Sequence, residues 1–256
     1  MALDLDLILS TLRGWYWPFL RLSALLLVAP VFSAGTVSVR VRIALAVVVA
    51  ALLAPLAVPA SPPDAISGIG LLLAVREVAI GLCIGFIMQM VFAAVIVAGE
   101  TVAMSMGLGF AMTVDPQNGV QVPVVSQLNV ILATLLFLAI DGHLVLLMAL
   151  GESFRLLPVA QPGLAFDSFG NVAAFGGQIF ATALLLALPA LTAVLMINIA
   201  FGVITRAAPQ LNIFAVGFPV TILAGFFFML LALPGFLDTL RRFIEAGLQR
   251  TLLVFG

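Results

Sequence analysis

The groups with chemistry to offer in these 256 residues are few, and most sit in apolar surroundings. His143 lies two positions after Asp141 in LAIDGHLVLL, a pairing that elsewhere orients a catalytic base. Residues two apart point to different sides of a helix, and no serine or cysteine nucleophile is implied beside them. Cys83, the single cysteine, stands between Leu82 and Ile84 and reads as an inert buried thiol. One cysteine excludes an internal disulfide, and one histidine excludes a Cys/His zinc site. There is no P-loop, no HExxH and no glycine-rich dinucleotide turn. Enzymatic chemistry is not expected, and no catalytic, cofactor or metal residue is assigned.

What remains is a set of polar side chains inside apolar sequence, where ionisable groups are expensive and become functional candidates by default. Arg21 sits seven positions into the first apolar run. An inter-subunit ion pair, a pore-lining cation and simple snorkelling to the interface all remain open for it. Gln89 and Asn198 lie deep in later runs and read as hydrogen-bonding glue between helices. Glu77 and Glu100 bracket the third run, about 34 Å of helix apart, and so should mark its two ends. Gly81 and Gly85 between them form a GxxxG that allows close helix approach.

The elements that must position these groups follow from composition. The chain is 64% hydrophobic and 8% charged, with a mean hydropathy of +1.32. A soluble domain carries about 25% charged residues, so a cytosolic enzyme is excluded. All ten basic residues are arginines scattered along the chain, with a net charge of −1, which argues against a nucleic-acid binder. About 20 residues span a bilayer. Six apolar segments qualify as candidates: 15–32, 43–60, 78–98, 128–150, 179–204 and 211–236. They are continuous and not alternating, which predicts an all-α polytopic membrane protein and argues for helices over an outer-membrane barrel. Asp4 and Asp6 replace the basic start of a signal peptide, so the first segment is expected to remain in the mature protein. The intervening polar stretches are too short for a soluble catalytic domain.

Six straight crossings conflict with the arginines. Arg40 and Arg42 follow the first segment and should be cytoplasmic, which leaves Arg241, Arg242 and Arg250 outside. Pro55, Pro189, Pro219 and Pro234 lie within or at the ends of apolar runs, and broken or bent helices are expected there. In the C-terminal tail, Asp238, Arg241, Arg242, Glu245 and Gln249 share one arc of about 100°, predicting an amphipathic helix at the membrane surface or docked on a partner. The stretch 99–119, GETVAMSMGLGFAMTVDPQNG, is too apolar for a free loop and too rich in glycine for a spanning helix. Composition alone favours a connection on the membrane surface over a re-entrant plug.

In order and spacing, several pieces together resemble the FliR family of type III secretion export-gate subunits, whose virulence counterpart is the SctT group. The strongest is RAAPQLNIFAVGFP at 206–219, with Arg206, Pro209, Gln210, Asn212, Gly217, Phe218 and Pro219. Arg40-Val41-Arg42, Arg76-Glu77, Gly99-Glu100, Met106-Gly107, Asp115-Pro116, Gly142-His143 and Ser153-Phe154 complete the pattern. The resemblance implies a FliP-like portion over about 1–170, then a FliQ-like hairpin and amphipathic helix over about 171–256. It implies a bacterial inner-membrane protein of the flagellar basal body. Its implied partners are FliP-, FliQ- and FlhB-type subunits, membrane lipid and unfolded export substrates. It also implies that Met106, Gly107, Gly109, Phe110, Met112, Asp115 and Pro116 plug the closed channel, which shifts the reading of that stretch to a plug. Ser105 departs from the pattern, standing where the resemblance implies glutamine. The alternatives are an injectisome subunit with other cargo, or a secondary transporter with kinked helices around a midplane site.

Overall fold

Backbone groups in lipid have no water to bond, so long apolar sequence closes its own hydrogen bonds as helix. The computed structural model describes residues 5–57, 67–108, 124–159, 166–208 and 213–253, with side chains placed outside 5–13, 56–57, 166–169 and 213–215. Every regular element among the described residues is an α-helix. In chain order these are α1 (Leu5–Val28), α2 (Val39–Ala57), α3 (Gly68–Ser105), α4 (Val124–Ala139), α5 (Gly142–Leu156), α6 (Phe166–Gly176), α7 (Gln178–Ala207) and α8 (Ile213–Leu253).

Three runs of 38 residues, Gly68–Ser105, Gly170–Ala207 and Val216–Leu253, are long and apolar enough to cross a membrane. The pair α4 and α5 makes a fourth if its 64° bend is taken as one broken span. Three or four crossings are thus present among the described residues, a count that does not bear on the first two expected segments, whose helices have described side chains only over 14–28 and 39–55. The first two expected segments form α1 and α2, of 24 and 19 residues, both carrying arginine; α1 packs along α2, and α2 touches α5.

The bend does not fall where proline predicts it. α2, α7 and α8 run on through Pro55, Pro189, Pro219 and Pro234. The chain turns instead at Asp141, whose φ of 56° and ψ of 26° are left-handed. Aspartate visits that region more readily than most residues. Its carbonyl accepts the N–H of Leu144 and Val145, starting α5. Asp141 is thus the corner of a broken helix, and no ion pair joins it to His143 among the described residues.

Two compact units divide the chain. One comprises Met1–Met90, Leu138–Gly176 and Ile244–Gly256; the other comprises Val91–Phe137 and Gly177–Phe243. In the first, the GxxxG of α3 sits directly on the backbone of α1. A Cβ at Gly81 would overlap the carbonyl oxygen of Arg21, and one at Gly85 would lie 3.0 Å from that of Leu25. Glycine is what lets the two helices meet. In the second unit, α3 meets α4 at Gly99, which faces the backbone of Ser126, and the Ser126 hydroxyl donates to Ile96 O at 3.1 Å. Phe92 and Phe137 stack edge-to-face 6.0 Å apart.

The last two spans are covered least. Only 33% of the window in Gly170–Ala207 and 17% of that in Val216–Leu253 is buried, leaving Phe180, Met196, Leu223 and Phe227 facing outward. The tail is not a separate helix but the end of α8. It buries Leu240, Ile244 and Leu248 and leaves Arg241 and Arg242 exposed, as its periodicity predicts.

Candidate functional site

The polar residues picked out by type separate into two settings. The first lies in the unit containing Met1–Met90. Arg21 on α1 and Glu77 on α3 are both 0% exposed. Arg21 Nε donates to Glu77 Oε2 at 2.7 Å, Nη1 to Ser153 Oγ at 2.9 Å and Nη2 to Leu157 O at 2.9 Å. Its guanidinium carbon lies 3.9 Å from the centroid of the Phe154 ring. The close approach at Gly81, one turn along α3 from Glu77, is what brings the two charges level. Arg76 adds an ion pair to Glu77 Oε1 at 3.5 Å and donates to Pro158 O at 3.1 Å. Arg21 is therefore neither snorkelling nor lining a pore; it is spent within its own chain. Glu77 lies inside α3, not at its end.

The second setting is the end of α3, in the other unit. Gly107 has a φ of +81°. Its N–H bonds to Met104 O at 3.1 Å while Leu108 N–H reaches back to Ala103 O at 3.0 Å. This is the Schellman arrangement that closes a helix on a left-handed glycine. The carbonyl of Ser105 is satisfied from α7, where Asn198 Nδ2 donates to it at 3.3 Å. The Ser105 hydroxyl turns back to Val102 O at 2.7 Å, inside its own helix. Met106 is fully buried against α8: a Cβ at Gly225 would lie 2.6 Å from Met106 Cε. A Cβ at Gly107 would overlap the ring of Phe218.

So the structure sets Gly107 of the expected plug against Phe218 of the 206–219 motif, with Asn198, chosen as inter-helix glue, bonded to the neighbouring Ser105. Gly217 is buried beside Phe218, and Pro219 is exposed. Gly109, Phe110, Met112, Asp115 and Pro116, and likewise Pro209, Gln210 and Asn212, lie outside the described residues. Arg206 is exposed in the last turn of α7, and Glu100 is exposed near the end of α3. Gln89 is half-buried. No group of three metal-ligating side chains occurs among the described residues. Residue types did not point to Gly225, whose part depends on a contact far along the chain, or to Asn129, described below. Ser153 and Phe154 were visible as a motif but without a task.

The helices and their uncovered apolar faces define a polytopic, all-α membrane protein. Residues 12–247 match the family described as bacterial export proteins, family 1, and the chain belongs to that family. It is 41% identical over 226 residues to the flagellar biosynthetic protein FliR of Escherichia coli K12, covering 88% of this chain and 86% of that one. The FliR of Pectobacterium carotovorum is 42% identical over 221 residues, covering 86% and 84%. That of Bacillus subtilis is 31% identical over 221 residues, covering 84% of each.

Proposed function

We propose that this chain is a membrane subunit of the flagellar protein export apparatus, and that with FliP- and FliQ-type subunits it forms the closed channel through which unfolded flagellar proteins leave the cell. In this reading it sits in the bacterial inner membrane at the flagellar basal body, has an FlhB-type neighbour, and performs no catalysis. Residues 1–170 form the FliP-like portion, and 171–256 the FliQ-like hairpin with its amphipathic end. Likeness to FliR proteins at 31–42% identity over most of the chain supports the flagellar assignment.

Residues 106–116 act as the plug. The observation that carries this is the end of α3. A flexible seal needs a fixed base and a point that can turn. Met106 packed on Gly225 supplies the base, and the left-handed Gly107 supplies the turn. From there the apolar, methionine-rich stretch, with Gly109, Phe110, Met112, Asp115 and Pro116, closes the channel. A hydrophobic constriction excludes water and with it ions, while methionine conforms to irregular surroundings.

Deleting the gene should abolish hook protein and flagellin in the medium while the export ATPase is still present; intact export overturns the assignment. Removing residues 107–115 from the otherwise intact assembly should make cells leak ions. Unchanged permeability there overturns the plug and leaves the export role standing.

A further inference from the structure

One buried polar group serves neither the ion-pair cluster nor the end of α3. Asn129, in the second turn of α4, is 5% exposed, and its side chain makes no hydrogen bond among the described residues. Its amide is not sealed in the core but reaches accessible surface, where it is open to a partner. Asn129 lines a cavity of about 400 Å³ within the unit Val91–Phe137 and Gly177–Phe243. Ala98 from α3, Leu128 from α4, Ala187 from α7 and Phe226 and Leu233 from α8 form its walls. Asn129 is the sole polar residue in the lining, and no charge enters it.

Size and chemistry together select the occupant. A helix with its side chains is about 10 Å across, so a space this small takes less than one turn of a partner helix. The volume is in the range of small-ligand pockets, which are mostly apolar with a few oriented polar groups. An anionic headgroup finds no cation here. A hydrocarbon chain that ends in an ester finds apolar walls and one amide donor. α8 borders the cavity with residues that also face outward, Leu230 among them, in a span only 17% buried, so a chain can enter from the surrounding lipid.

We propose that this cavity binds one acyl chain of a membrane phospholipid, with the Asn129 side-chain amide donating to the ester carbonyl. The cavity reaches Val102 in the last turn of α3 but none of 105–108, and the proposal does not depend on the plug. The bound chain fills the gap among α3, α4, α7 and α8 and satisfies the amide.

The test uses the full chain in its native export complex, reconstituted with phosphatidylethanolamine carrying a photoreactive group midway along one acyl chain. After irradiation, label mapped by mass spectrometry should concentrate on 128–132 and 226–236. Label spread evenly over outward residues such as Phe180, Met196 and Leu223 overturns the site, and this comparison needs no variant. Ala187→Phe should empty the cavity of label. Asn129→Leu should weaken labelling about fivefold, the equivalent of one neutral hydrogen bond, with the melting temperature in detergent retained. Labelling unchanged by both substitutions overturns the proposal, as does cross-linking of the cavity residues to another protein chain in place of lipid.

Discussion

The buried cluster around Arg21 and the end of α3 hold their helices by opposite means. At Arg21, charge, hydroxyl, carbonyl and aromatic ring all converge on one guanidinium, and the α1 backbone rests on glycine. At Gly107 the contacts are a methionine on a glycine, a phenylalanine ring and a single 3.3 Å hydrogen bond. Moving the first region exposes an unpaired charge in a low-dielectric interior. Moving the second slides apolar surface over apolar surface. The molecule therefore combines one anchorage that cannot yield with one junction that can, joined by the same helix, α3.

The strongest way to break this contrast is Glu77→Leu, which leaves Arg21 and Arg76 buried without their anion. Removing one partner of such a pair costs about 3–5 kcal/mol, so the purified complex should melt far earlier or fail to accumulate. A melting curve within a degree of the wild type would show that the cluster is not an anchorage. Next, Gly81→Leu drives a side chain into the Arg21 carbonyl and should cost about 1–3 kcal/mol as α1 and α3 are forced apart; the readout is again thermal unfolding in detergent.

The junction should respond differently. Gly107→Ala imposes about 1–2 kcal/mol of left-handed strain and meets Phe218, yet the loss should appear chiefly as altered ion permeability, with melting little changed. If it melts the protein as severely as Glu77→Leu, the two regions are not distinct. The smallest effect belongs to Asn198→Leu, which removes one hydrogen bond to Ser105 O and should cost about 1 kcal/mol or less. Amide hydrogen exchange at 105–108 is the sensitive measure; faster exchange there, with none near Glu77, sharpens the contrast.

Periodicity and composition were enough to foresee a helical membrane protein, the close approach at Gly81 and Gly85, and the amphipathic end of α8. They were enough to single out the glycine-rich stretch after α3. What they left open were pairings across the chain. Nothing in the run around Arg21 says that its anion stands 56 positions away, or that Ser153 completes the site 132 positions away. Apolar length alone also could not tell how a helix is covered: α1 is largely sheathed by its own chain, whereas α8 is not. The prolines did not end their helices: each removes one hydrogen bond, and α2, α7 and α8 continue through them. The true corner required a left-handed residue, and Asp141 had drawn attention only as a neighbour of His143.

The spans of 38 residues carry a last consequence. At 1.5 Å per residue each is about 57 Å long, nearly twice the hydrocarbon thickness of a bilayer. A lone copy would have to carry part of each helix beyond the bilayer or tilt it to shorten its reach. In the proposed assembly, such a polypeptide is incomplete until the other export subunits join it, and before that it is exposed to proteolysis. Its abundance in the cell should therefore follow the supply of those companions more closely than its own rate of synthesis.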